Sequence, residues 1–211
     1  DETGAMQRQK ARVVAVAGNS IESPRLLLNS ASNTFPDGLA NSSGQVGRNL
    51  VFHHLWRGHM RFKDRMMPGR AGPPTMLSHQ FVESPAPLEY GGMTVELFDT
   101  VRFTLLEEAM RKRQRDGAQV VDTMRTILNT RTITFNAEAR GGPGKYAQLS
   151  KQAADRFGDP FMHVHYELDA FDRATHRQAA AYAVRFAKAM GAEHTWLDDA
   201  GTYWSSHHHL G

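Results

Sequence analysis

The stretch that most constrains the fold is "ARVVAVAGNSIESPRLLLNS", Ala11 to Ser30. A short β-branched run closing on Gly18 has the character of a strand buried on both faces, because alternation disappears when neither face meets water. The next residues switch to a helix. Ser23 can cap it, Pro24 fits a first turn where a missing N–H costs nothing, and Leu26, Leu27 and Leu28 supply an apolar face. The unit is therefore strand, tight turn, helix, and its turn lies at the carboxyl end of the strand, where open α/β sheets bind ligands.

The remainder reads as a mixture. Asn33 to Asn49 is loop-like, rich in Asn, Ser, Gly and Pro. "LWRGHMRF" and "GGMTVELF" read as strands separated by a Pro/Gly-rich connection from Pro68 to Pro87, and Phe103 to Arg115 and Ala118 to Asn129 as helices. "RTITFNAEA" returns to strand alternation with Ile133 and Phe135 on one face, and "GGPGKYAQLSKQAADRFGDP" reads as a turn-rich connection. In "FMHVHYELD", Met162, Val164, Tyr166 and Leu168 alternate with His163, His165 and Glu167. Asp169 or Asp172 can then open the longest helix, to about Met190, with Ala180, Val184, Ala187 and Gly191 at helical spacing. The tail beyond Gly191 reads as irregular, anchored by Trp196 and Trp204.

Charge and composition exclude several classes. The net charge is only +3, from 25 basic and 22 acidic residues, which does not argue for nucleic acid. The densest basic run, "MRKRQRD" at Met110 to Asp116, reads as a solvated helix end. With no cysteine, disulfides and thiolate metal sites are excluded, while the compartment stays open. No apolar run approaches the roughly 20 residues that span a bilayer, and no signal peptide is visible. The chain starts at Asp1, its first methionine is Met6, and it is expected to be part of a longer gene product.

Histidines carry the remaining chemistry, because P-loop, nucleophile-elbow, zinc-protease and GxGxxG motifs are all missing. His163, His165 and Glu167 share a strand face and could ligate zinc, but plain alternation produces the same face. His53 and His54, adjacent on a strand, point to opposite sides, so only one could join a given site. The closing "TYWSSHHHLG" could be a tag remnant, a metal clip or part of an active site; its three histidines are few for a tag, and imidazole titrates near neutral pH.

Separate segments resemble the glucose-methanol-choline family of flavin oxidoreductases. They are "VVAVAGNSIESPRLLLNS" with "PDGLANSSGQVGRNLVFH", then "DRFGDPFMHVHYELDAFDRAT", and finally "SSHHHLG". Gly18, Ser23, Pro24, Leu26 and Leu27 match the family's strand-turn-helix signature, while Asn19 and Ser30-Ala31 depart from it. The resemblance implies an α/β plus α+β fold: residues 1–54 as the closing part of a Rossmann-like FAD-binding domain, 55–198 as a substrate domain with an antiparallel sheet and helices, and 199–211 as a segment returning to the flavin.

It also implies an FAD cofactor, held in part by backbone at Ala17, Gly18 and Asn19, and an alcohol or sugar substrate oxidised at a CH–OH group. His208 aligns with the first histidine of the family's His-x-aliphatic-Gly motif and would be the catalytic base; His209 would line the substrate pocket. The other partners implied are the remaining segments of the same protein and an electron acceptor. No nucleic acid and no membrane span are implied, and the compartment is left open. Two further readings stay open: a non-catalytic binding module and a His-rich metalloenzyme.

Overall fold

A computed structural model of the chain describes residue 5 and residues 7–65, 76–84, 88–98, 117–197, 208 and 210. It is a mixed fold of helices and antiparallel sheets that divides into two compact units. One comprises Asp1–Phe52, Arg140–Glu167 and His207–Gly211; the other comprises His53–Ala139 and Leu168–Ser206. No helix among the described residues is long and apolar enough to cross a membrane.

The second unit is built on a five-stranded sheet. Its strands are β1 (His54–Arg61), β2 (Met76–Phe81), β3 (Met93–Phe98), β4 (Thr130–Ala137) and, near the end of the chain, β7 (His194–Leu197). The order is β2-β3-β4-β1-β7, with antiparallel neighbours throughout. Register places Trp56 opposite Phe135, Gly58 opposite Ile133 and Met60 opposite Arg131, so one face collects Trp56, Met60, Ile133, Phe135, Met93 and Val95. The other face carries His59, Thr132 and Thr134, which are also buried.

A long helix, Ala170–Ala189, covers the apolar face. Asp169 caps it, and Asp172 completes a capping box: the Asp169 carboxylate accepts the Asp172 N–H while Asp172 accepts the Asp169 N–H, each at 2.9 Å. Besides Asp172, the residues it buries are Phe171, Thr175, Ala179, Tyr182, Ala183 and Ala187. The expected stripe through Ala180 and Val184 is thus displaced, and Val184 is 56% exposed. The rings of Phe171 and Tyr182 remove more apolar area from water than Ala180 and Val184 could, and they set the rotation of the helix. A shorter helix, Gly117–Thr126, precedes β4 through a 3-10 turn at Ile127–Asn129. We number the helices α1 (Asn19–Asn29), α2 (Gly117–Thr126) and α3 (Ala170–Ala189).

In the first unit α1 packs on a hairpin of β5 (Lys145–Ala154) and β6 (Pro160–Tyr166). Its small core joins Leu50, Phe52 and Ala147 to Ile21, Met162, Val164 and Tyr166. Arg25 fastens helix to hairpin: Nε donates to the Pro160 carbonyl at 2.8 Å and Nη2 to Asp155 Oδ2 at 2.7 Å. That contact raises the Arg25 pKa and lowers that of Asp155, whose other oxygen accepts the N–H groups of Phe157 and Asp159.

Several expectations need correction. Residues 11–17 form no strand, and Val13 and Val14 are 84% and 78% exposed, because no neighbouring strand among the described residues pairs with them. The helix begins at Asn19, not at a Ser23 cap. Asn19 Oδ1 accepts the N–H groups of Ile21 and Glu22, which starts the helix one turn earlier and leaves Pro24 inside it. β2, β5 and β7 occupy stretches expected to be connection or irregular tail. The helix expected over Phe103 to Arg115, the basic run and Trp204 lie outside the described residues.

Candidate functional site

The turn into α1 holds the first group of expected site residues. Ala17 and Asn19 are exposed and Gly18 is half-buried. Asn19 sits at φ +69, a left-handed conformation that asparagine tolerates better than most residues because its side chain can bond nearby amides, as it does here. The Gly18 N–H donates to Ser23 Oγ at 2.9 Å, and a Cβ at Gly18 would meet Glu22 Cβ at 3.2 Å. Ser23, expected as a helix cap, therefore closes the turn instead. The result is a tight backbone corner at the positive end of a helix, with Glu22 of the first turn beside it and paired to Arg25 at 3.2 Å.

The closing residues return to the same unit. Leu210 and Val51 exchange both main-chain hydrogen bonds, at 2.8 and 2.9 Å, in an isolated antiparallel bridge. Val51 is in turn tied into the hairpin, since the Leu50 N–H donates to the Lys145 carbonyl at 3.1 Å. Gly47, in "GQVGRNL", has a clear local reason: it lies at φ +80, its carbonyl accepts the Ala147 N–H at 2.7 Å, and a Cβ there would collide with the Ala147 carbonyl oxygen. His208 is exposed and held at φ +54. For a histidine this is a sparsely populated conformation, and such strained residues concentrate at functional sites. His209 lies outside the described residues.

Beside this ladder, sequence reasoning missed a buried cation. Lys145 is fully buried; its ammonium donates to the Arg140 carbonyl at 2.9 Å and lies 5.3 Å from the centre of the Tyr166 ring. The adjacent surface stacks Arg48 over Tyr146 at 4.8 Å and Tyr146 against His165 at 4.8 Å, with His165 paired to Glu167 at 3.1 Å. His165 and Glu167 are thus engaged with one another, and among the described residues no group of three candidate ligands could hold a metal ion.

The second unit contains a polar cluster that the sequence signalled only as a His-His pair. His54, on β1, and Asp172, in the first turn of α3, are 1% and 0% exposed, with Nε2 and Oδ1 3.7 Å apart. The Trp56 indole meets the His54 and His176 rings edge-on, each at 5.0 Å. On the opposite sheet face His59 is stacked on Trp196 at 5.1 Å, and its Nδ1 lies 3.2 Å from Thr132 Oγ1. Nothing in the periodicity of a strand reveals that its histidines will be buried, which is why neither contact was foreseen.

No family model matches the chain. It is 51% identical over 55 residues to 2-methyl-1,2-propanediol dehydrogenase of Mycolicibacterium austroafricanum, covering 26% of this chain and 10% of that protein. It is 26% identical over 202 residues to the fructose dehydrogenase large subunit of Gluconobacter japonicus, covering 87% of this chain and 35% of that protein. The chain therefore spans about a tenth and about a third of the lengths of these relatives. Both are named dehydrogenases, one after a diol and one after a sugar, and the similarity points to an oxidoreductase.

Proposed function

We propose that the chain is part of an FAD-dependent oxidoreductase of the glucose-methanol-choline type that oxidises a CH–OH group of an alcohol or sugar. The observation that carries this reading is the Leu210–Val51 bridge, which fastens the His208 segment into the same compact unit as the Ala17–Asn19 turn. Motif resemblance at both places, and the dehydrogenase names of the two relatives, support it. In this reading residues 1–54 belong to the flavin-binding part of the protein and residues 55–198 to the substrate-binding part.

The corner at Ala17, Gly18 and Asn19 fits a flavin nucleotide on its chemistry: a close backbone surface at a helix amino terminus, without an anionic side chain at those three positions. Bound at this corner, a flavin would supply the acceptor for the hydride that leaves the substrate carbon. His208 takes the hydroxyl proton on an imidazole nitrogen as that carbon is oxidised, the work of a general base. Its exposure lets it meet a substrate, and the main-chain bridge two residues on limits its wandering. His209 is assigned to substrate binding in this reading. The name "large subunit" of one relative supports an additional protein partner that receives electrons.

The test is the cofactor content of the full-length protein. Stoichiometric FAD released on denaturation, with flavin absorbance that bleaches anaerobically on adding a diol or ketose, is expected. Purified full-length protein that neither contains nor takes up flavin contradicts the proposal.

A further inference from the structure

Helix α3 carries a cationic face that no carboxylate among the described residues neutralises. From Arg173 to Ala192 there is no carboxylate, while Arg173, Arg177, Arg185 and Lys188 are all exposed. With Val184 they fall on one side of the helix, opposite the buried stripe. Among the described residues none of the four enters an ion pair. Arg173 and Arg177, four residues apart, repel one another, so the arrangement disfavours the isolated helix.

Next to Arg185 the surface changes character. A cavity of about 260 Å³ opens between the end of β2 and α3, lined by Gln80, Phe81, Tyr182, Arg185, Phe186 and Ala189. Phe81 lies 4.1 Å from Tyr182 and 6.1 Å from Phe186, ring centre to ring centre, so the lining is largely aromatic. β2 is an outermost strand of the sheet, and among the described residues no strand pairs with its outer edge. A strand edge without a partner strand among the described residues, an aromatic cavity at its end and a row of cations on the neighbouring helix form a peptide-binding arrangement: main-chain pairing supplies affinity, a pocket selects one side chain, and charge sets register.

We propose that the groove between β2 and α3 docks an extended, acidic segment of a partner polypeptide, which pairs with the edge of β2 and places one apolar side chain in the Phe81, Tyr182 and Phe186 cavity. Charge decides among occupants. A second copy of this chain meeting the same face would oppose four cations with four more, and an anionic lipid surface has no main chain to pair with a strand edge. The inference concerns a surface and holds whether or not the flavin reading is right.

The test uses the full-length protein and a fluorescein-labelled peptide, Glu-Val-Glu-Leu-Glu-Val-Glu-Asp, read by fluorescence anisotropy. Saturable binding is expected, weakening as salt is added. Arg177→Glu with Lys188→Glu should weaken it about tenfold, and Ala189→Trp, which fills the cavity from its exposed rim, by a similar factor. All three positions are exposed, and unchanged circular dichroism verifies that each variant is folded. Three results overturn the proposal: no saturable binding; variants that bind as tightly as the wild type; or an all-glutamate peptide that binds as tightly as the mixed one. Binding of phosphatidylserine vesicles without peptide binding would also overturn it, in favour of a membrane-facing surface.

Discussion

Gly58→Ala tests the packing of the second unit. Gly58 lies in β1, which is paired on both edges, to β4 opposite Ile133 and to β7 opposite Leu197, while Ala183 of α3 approaches from above. A Cβ at this position would lie 2.9 Å from Ile133 Cγ2, 3.2 Å from Ala183 Cβ and 3.4 Å from Leu197 Cδ1. The first two distances are shorter than ordinary carbon contacts, and neither the strand nor Ala183 has a flexible side chain to move aside. The added methyl therefore pushes α3 off the sheet or distorts Ile133, at a cost of about 1–3 kcal/mol. For a chain of this length that lowers the melting temperature by about 3–10 °C. Gly117→Ala serves as the control: its Cβ would meet nothing within 4 Å, and at the start of α2 alanine is the better helix former. Urea or thermal unfolding followed by tryptophan fluorescence should separate the two variants, since Trp56 is in the affected core. A Gly58→Ala protein as stable as the Gly117→Ala control would refute the claim that helix and sheet meet through a missing side chain.

Three other outcomes follow from the same reasoning. Asp155 has its pKa lowered by Arg25, so the carboxylate favours the folded state at pH values above its unfolded pKa, near 3.9; this contribution disappears as pH falls through the lower folded value. Asp155→Asn should flatten the acid limb of an unfolding-versus-pH curve, and an unaltered limb would show that the pair is not held in solution. Asp172→Ala removes the reciprocal cap of α3 and leaves His54 without its buried carboxylate neighbour, a loss of at least about 2 kcal/mol in urea unfolding, and a change below about 0.5 kcal/mol would be inconsistent with this role. Gly47→Ala drives a methyl into the Ala147 carbonyl at a left-handed position and should cost about 2 kcal/mol or more, read as destabilisation of the unit that holds α1; a neutral effect would contradict the close approach.

The legibility of this chain varied with how each element is stabilised. β1, β3, β4 and β6 were readable because their apolar residues alternate against a core that the chain itself supplies, and Asp169 announced α3 through ordinary capping chemistry. β5 was hidden because its buried residues are Lys145 and Ala147, a cation and a single methyl that give no apolar alternation, and because glycines flank it. β7 is held by pairing with β1, through Trp196 opposite His59, a long-range contact that a four-residue stretch cannot signal. The opposite failure occurred at Val13 to Val16, where strong strand composition meets no partner strand among the described residues. The Ala17–Asn19 corner and His208 were singled out through motif resemblance and stand as proposed site residues. The buried Lys145 and the His54–Asp172 neighbours were not, since burial of a polar residue is a property of the assembled fold.

Anaerobic flavin reduction in the His208→Ala full-length protein tests the proposed chemistry most directly. With FAD bound at the wild-type level and a substrate that bleaches the wild type, the variant should reduce its flavin at least about a hundredfold more slowly, the scale of a missing general base. Bleaching at an undiminished rate, with FAD still bound, would contradict the assignment of His208 as the base.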